Sequence, residues 1–192
     1  MTTIKGLLLA GGASSRMGQT KALLPYQGEV QLFRAARLLQ PFCTSLYLSC
    51  QPTQTAVYRQ AGWEATILED QPHYGAIGPM NGVLTAFDAH PGPWLVLGCD
   101  YPLLQEQDLQ LLLTSRKENQ LAVAFETATG LEPLLALYEA SSERPLRSFW
   151  EKDQQSLRHF LSSHPIQRVP PPQPGRLQSI DTPEHYHSVH LT

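Results

Sequence analysis

Six short apolar runs punctuate the chain: Ile4 to Ala10, Ser45 to Cys50, Ala65 to Leu68, Trp94 to Gly98, Leu121 to Phe125 and Leu134 to Tyr138. Each is bounded by turn residues and is largely continuous rather than alternating, the pattern of a strand buried on both faces. Between them the spacing changes to that of a helix. Leu32, Phe33, Ala36 and Leu39 share one face of the segment from Val30 to Leu39. Met80, Val83, Leu84 and Phe87 do the same from Pro79 to Ala89, as do Leu109, Leu112 and Leu113 from Glu106 to Leu113. Strand and helix therefore alternate, which predicts a largely parallel sheet covered by helices on both faces: an α/β, three-layer Rossmann-like domain.

The last third is less regular. Leu146 to Trp150 and Gln154 to Leu161 read as helices; Pro170, Pro171, Pro172 and Pro174 then break the chain. An edge strand over Leu177 to Ile180 and a closing helix after Asp181 complete the expectation. With no internal repeat, residues 1–192 read as a single domain.

Composition narrows the function. Hydrophobic residues make up 42% of the chain and charged residues 16%, enough apolar material for a core and too much for disorder. The net charge is −3 and Lys and Arg form no run, so the chain supplies no field for holding a nucleic acid. Cys43, Cys50 and Cys99 lie in or beside apolar runs at spacings that suit neither a zinc site nor a disulfide framework, and read as buried thiols of a cytoplasmic protein. The apolar stretch from Ile4 is shorter than the ~20 residues of a membrane span. A signal-peptide reading fails because Gly11 and Gly12 run without a break into a polar loop holding Arg16 and Lys21.

That loop is the first candidate for chemistry. Gly11-Gly12-Ala13-Ser14-Ser15 delivers five small residues straight after a strand, letting backbone N–H groups approach a phosphate or a base edge. Arg16 and Lys21 then supply the positive charge a triphosphate requires. The spacing fits neither the Walker A loop nor GxGxxG, and an ordinary strand-to-helix turn is the plainer alternative. The second candidate is Asp100, at the end of the apolar run Trp94 to Gly98 and hence at the carboxyl edge of the sheet, where open α/β folds bind ligands. A single carboxylate there is enough to bring in a Mg²⁺-bound triphosphate, whereas a helix cap or a turn before Pro102 would need no metal.

The segment LAGGASSRMGQTKALLPYQG, residues 9 to 28, closely resembles the signature loop of the nucleotidyltransferases that include molybdenum cofactor guanylyltransferase. The resemblance implies a fold of the nucleotide-diphospho-sugar-transferase type. It also implies that the backbone around Leu9, Ala10, Gly11 and Gly12 reads the base. Lys21 would neutralise the α-phosphate, and Arg16 would hold the departing pyrophosphate. It makes Asp100, in a C-D-x-P segment, the Mg²⁺ ligand. Asp70 followed by Gly78-Pro79-Met80-Asn81-Gly82 matches an acid and a G-P-L-x-G segment of the family, which makes Asp70 a contact for base or ribose and places Gly82 at the nucleotide.

Ser179-Ile180-Asp181-Thr182-Pro183-Glu184 resembles a late N-x-N-T-P-E segment, with Asp181 either a second Mg²⁺ ligand or a helix cap. Glu132-Pro133 resembles a substrate-side segment. Gln51-Pro52 departs from the Asn-Arg often found after the second strand, which leaves the role of Gln51 open. His185, His187 and His190 read as a solvated tail.

The activity the resemblance implies is transfer of GMP from GTP to molybdopterin, with pyrophosphate leaving and Mg²⁺ as cofactor. Leu-Ala-Gly-Gly and G-P-x-x-G favour guanine by family comparison; Asp181 points instead toward a cytidylyltransferase or a sugar-1-phosphate nucleotidyltransferase. A catalytically idle nucleotide-binding partner of a molybdoenzyme, or of the cofactor pathway, is the alternative from another class.

Overall fold

A computed structural model describes residues 3–11 and 21–179. Strand β1 (Lys5–Leu9) lies at the centre of the parallel part of the sheet, flanked by β4 (Ser45–Cys50) and β6 (Trp94–Gly98). Two short strands, β2 (Pro25–Tyr26) and β3 (Glu29–Val30), form a small separate hairpin. Beyond β4 lies β5 (Thr66–Glu69); beyond β6 lie β8 (Gly130–Tyr138), β7 (Ala122–Thr127) and β9 (Gln167–Val169). Of these seven strands only β8 runs against its neighbours, so the sheet is mostly parallel, as the alternating pattern predicts.

The strands sort their side chains between two cores by the two-residue period of a strand. Leu8, Leu95 and Leu97 face one core, shared with α1 (Gln31–Leu39), α2 (Thr55–Gln60) and α4 (Glu106–Thr114). Leu7, Leu9 and Val96 face the other, shared with α3 (Pro79–Ala89), α5 (Glu143–Glu151) and α6 (Leu157–Ser163). Burial on both faces is why β1 and β6 read as continuous apolar runs. Fully burying one such Leu contributes roughly 1.5–3 kcal/mol.

The start of β8 precedes the expected Leu134. A tight turn with Gly130 at φ 115° joins β7 to β8, and Glu132 and Pro133 are already in the strand. Pairing with β6 begins only at Leu135, beyond Pro133, which has no N–H to donate.

Leu177 does not begin an edge strand. It ends a 3-10 turn over Pro174–Leu177 and is buried in the first core, while the free side of β7 is taken by β9, which the sequence pattern did not reveal. Arg176, in that turn, stands 3.6 Å from the fully buried Asp108 of α4 and ties the segment down. The expected closing helix after Asp181 lies outside the described residues.

Candidate functional site

Three strand ends converge where β1 stops. Ala10 N donates to Ser49 O at 3.0 Å, Cys99 N to Leu9 O at 3.2 Å, and Asp70 N to Cys50 O at 2.9 Å. The parallel registers of β1 with β4 and β6 therefore continue past the regular ladder and fix where the loops leave the sheet. Between these exits opens a cleft of about 170 Å³, lined by Leu9, Ala10, Gly11, Lys21, Pro79 and Asp100 among others. Five residues expected at a nucleotide site, Leu9, Ala10, Gly11, Lys21 and Asp100, are thus brought together although they come from three separate segments. Gly12 and Arg16, expected in the same loop, and Asp181, expected as a second ligand, lie outside the described residues, as do His185, His187 and His190.

Asp100 follows β6, with its Oδ1 buried. A Cβ on Gly98 would stand 2.6 Å from that oxygen, so the missing side chain makes room for the carboxylate. The next residue, Tyr101, is buried and donates its hydroxyl to Glu132 Oε2 at 3.3 Å. Burial, with Asp100 and Glu132 nearby, pushes the phenol well above its ordinary value, keeping it a neutral donor. Glu132 is also reached by Thr127 Oγ1, at 3.4 Å, so it braces the strand ends around Asp100.

Among the described residues no group of three or more His, Cys, Asp or Glu converges on one point. A divalent cation here would be held by Asp100 together with phosphate oxygens and water, a donor set that suits a hard cation riding on a nucleotide.

Asp70 sits just past β5, outside the cleft lining but beside the loop: its Oδ2 is 3.7 Å from where a Cβ on Gly11 would be. Ser49 Oγ donates to its other oxygen at 3.3 Å. Burial raises the pKa of Asp70 and the Ser49 bond opposes that rise.

Gly82 has a packing role. It lies where α3 crosses β1 and β4, and a Cβ there would stand 2.8 Å from Leu9 Cδ2 and run into the Ser49 side chain. The close helix–sheet approach it permits brings Pro79, at the start of α3, into the cleft wall. Gly78 precedes it at φ 61°, a left-handed turn that favours glycine, and Pro79 fits the first helical position.

Buried Asn81 closes the preceding loop: its Oδ1 accepts from Gln71 N at 2.8 Å and its Nδ2 donates to Gln71 O and Gly75 O, each at 3.0 Å. Gln51 is occupied locally, forming a reciprocal cap with Gln54 at the 3-10 turn Pro52–Gln54.

Ser49, Tyr58, Asn81 and Gly98 were not singled out by sequence. The only signal for Ser49 and Gly98 is a small residue inside an apolar run, which on its face reads as filler. A second hollow, of about 280 Å³, adjoins the cleft across Pro79 and Leu134 and is lined also by Pro133, Ser156 and Arg158. No helix among the described residues is long and apolar enough to cross a membrane.

Known proteins are similar to this chain in sequence and in fold. A probable molybdenum cofactor guanylyltransferase of Trichormus variabilis is 33% identical over 195 residues, covering 96% of this chain and 89% of that protein. A molybdenum cofactor biosynthesis bifunctional protein of Synechocystis is 34% identical over 132 residues; the match covers 66% of this chain and about a third (36%) of that longer protein. The crystal structure of molybdopterin-guanine dinucleotide biosynthesis protein A from Archaeoglobus fulgidus has the same fold, with a TM-score of 0.80, 21% identity and 97% coverage of each chain. The family model of the MobA-like NTP transferase domain matches residues 6–169, a span that holds the sheet except for Lys5 and includes the cleft at its carboxyl edge, and the chain belongs to that family.

Proposed function

We propose that this protein transfers GMP from GTP to molybdopterin, releasing pyrophosphate and forming the guanine dinucleotide cofactor. The observation that carries the reading is the joining of the Leu9–Gly11 backbone, Lys21 and Asp100 in one cleft, with an adjoining hollow beyond Pro79 and Leu134 that has room for an acceptor. The names of the relatives supply the nucleotide and the acceptor: molybdenum cofactor guanylyltransferase in Trichormus variabilis, molybdopterin-guanine dinucleotide biosynthesis in Archaeoglobus fulgidus.

In the reaction a phosphate oxygen of the acceptor forms a bond to the α-phosphorus of GTP, and the bond from that phosphorus to the bridging oxygen of pyrophosphate breaks. Lys21 neutralises charge on the α-phosphate and Arg16 holds the pyrophosphate, so the protein works by positioning and electrostatics. Asp100 would hold a Mg²⁺ ion, which when bound would supply further neutralisation of the triphosphate charge. The backbone from Leu9 to Gly12 and the Asp70 carboxylate beside it form the seat for base and ribose. Gly82 serves that seat through packing. Asp181 is a second candidate ligand for the cation. We read residues 1–192 as one nucleotidyltransferase domain acting in the cytoplasm, with molybdoenzymes or cofactor-pathway proteins as candidate partners.

The test is binding of GTP, CTP, ATP and UTP with and without Mg²⁺, followed by pyrophosphate release on adding molybdopterin. Selective GTP binding with acceptor-dependent release is expected. Preference for CTP, or release on adding a sugar phosphate, would move the protein to a sister activity; binding without turnover would make it an idle partner.

A further inference from the structure

Ala10 is the last residue whose backbone is tied to the sheet before the Gly-rich loop, and it is held from two sides. Its N–H donates to Ser49 O at 3.0 Å, and its carbonyl accepts from the Tyr58 hydroxyl at 2.8 Å. Tyr58 is fully buried and reaches Ala10 from the core on the α1 and α2 side of the sheet.

The short helix that carries Tyr58 is locked at both ends. Before it, Gln51 and Gln54 cap each other, and Thr55 Oγ1 donates to Glu69 Oε1 at 2.6 Å. After it, Arg59 Nη1 donates to the carbonyls of Trp63, Glu64 and Ala65 at 2.8, 3.0 and 3.0 Å, and Trp63 N donates to Tyr58 O at 3.0 Å. The hydroxyl is therefore presented by a fixed element.

A peptide unit is planar, and in its trans form the C=O and N–H point in opposite directions. No peptide among the described residues is cis. Fixing Ala10 O toward Tyr58 thus turns the Gly11 N–H to the other side, away from α2. Gly11 lines the cleft, on the side to which that N–H is turned. We infer that Tyr58 is a positioning residue for nucleotide binding: its hydroxyl sets the Ala10–Gly11 peptide plane so that the Gly11 N–H is presented, already oriented, to the bound nucleoside triphosphate. The inference rests on the reading of the cleft as a nucleoside triphosphate site and adds to it a residue that touches no ligand.

Tyr58→Phe removes the hydroxyl and keeps the ring. One neutral hydrogen bond is worth about 1 kcal/mol net, or roughly fivefold in a binding constant. The variant should therefore bind GTP with Mg²⁺ about three- to tenfold more weakly in an equilibrium titration. The KM for GTP should rise by the same factor, with the KM for molybdopterin and the kcat at saturating GTP unchanged.

Ser142→Ala is the matched control, since it deletes another buried hydroxyl-to-carbonyl bond, Ser142 Oγ to Glu139 O at 2.7 Å, in a residue lining neither hollow. It should lower the melting temperature comparably and leave GTP binding as in the wild type. Wild-type GTP affinity in Tyr58→Phe, or an equal loss in both variants, would overturn the positioning role and reduce Tyr58 to core packing. A wild-type protein that binds no nucleoside triphosphate would instead overturn the reading of the cleft itself, and this inference with it.

Discussion

Ser49 Oγ donates a hydrogen bond of 3.3 Å to Asp70 Oδ1, joining the end of β4 to the acid that follows β5 immediately beside Gly11. The bond supports a carboxylate whose charge the surroundings oppose. Burial holds the pKa of Asp70 above its ordinary 3.8, so the folded state retains the proton over a range in which the unfolded chain has lost it. The stability contributed by the protonated acid is complete below about pH 3.8 and is lost as pH rises through the folded-state value. Asp70→Asn removes this dependence. Its melting temperature should gain on the wild type as pH rises from 3.5 to 8, while its affinity for GTP falls. A variant that instead loses ground to the wild type with rising pH would show that Asp70 is stabilised as an anion.

Gly82 and Ser49 form a second close relationship across the same strands. In Gly82→Ala the new methyl group meets the Ser49 side chain and Leu9 Cδ2, and either those side chains or α3 must shift. Overpacking of this kind costs roughly 1–3 kcal/mol. Ser49→Ala combined with Gly82→Ala should recover part of that loss, because the hydroxyl that meets the methyl group is gone. Denaturant unfolding of both single variants and the double variant reads the coupling; strict additivity would refute the contact.

Lys21→Ala and Asp100→Ala test the charges of the cleft. Loss of one such electrostatic contact lowers kcat on the order of 10²–10³-fold. Far-ultraviolet circular dichroism and the melting temperature should remain close to wild type, because neither side chain belongs to the apolar cores. Wild-type turnover in either variant would remove that residue from the proposed chemistry.

Asn81 makes a structural prediction for the loop in front of α3. Asn81→Ala deletes its bonds to Gln71 and Gly75 and leaves the Gln71 amide without this partner. The expected destabilisation is about 2–4 kcal/mol by urea unfolding, summing lost bonds and a stranded donor. A loss below about 0.5 kcal/mol, the range of ordinary surface changes, would contradict the clamp.

The thiols should be inert. Burial pushes Cys43 to about 12 and Cys50 to about 11, and raises Cys99 as well, so little thiolate exists at pH 8. Alkylation of the native protein at that pH should be far slower than after unfolding in urea. Equal rates would mean that at least one thiol is accessible and ionised.

Much of this protein is legible in its sequence because the signals are local. Continuous apolar runs at Leu7 to Leu9 and Trp94 to Leu97 dictate strands that only a two-sided core can satisfy, and the three- and four-residue spacing of α3 and α4 dictates the covering layers. The order of those runs largely specifies a parallel sheet with its ligand edge at the carboxyl ends, and so the region in which Gly11, Lys21 and Asp100 belong. Tertiary structure decided the rest. Pro133 lies inside β8, and β9 fills an edge, because of pairings made at a distance, which leave no periodic trace in three to nine residues. Gly82 packs against Ser49, Asn81 bonds to the loop before it, and Tyr58 reaches Ala10 from 48 residues away. Each is a single polar or absent side chain whose meaning lies in what the fold sets opposite it, and a hydrogen bond or close approach of that kind has no spacing along the chain from which it can be read.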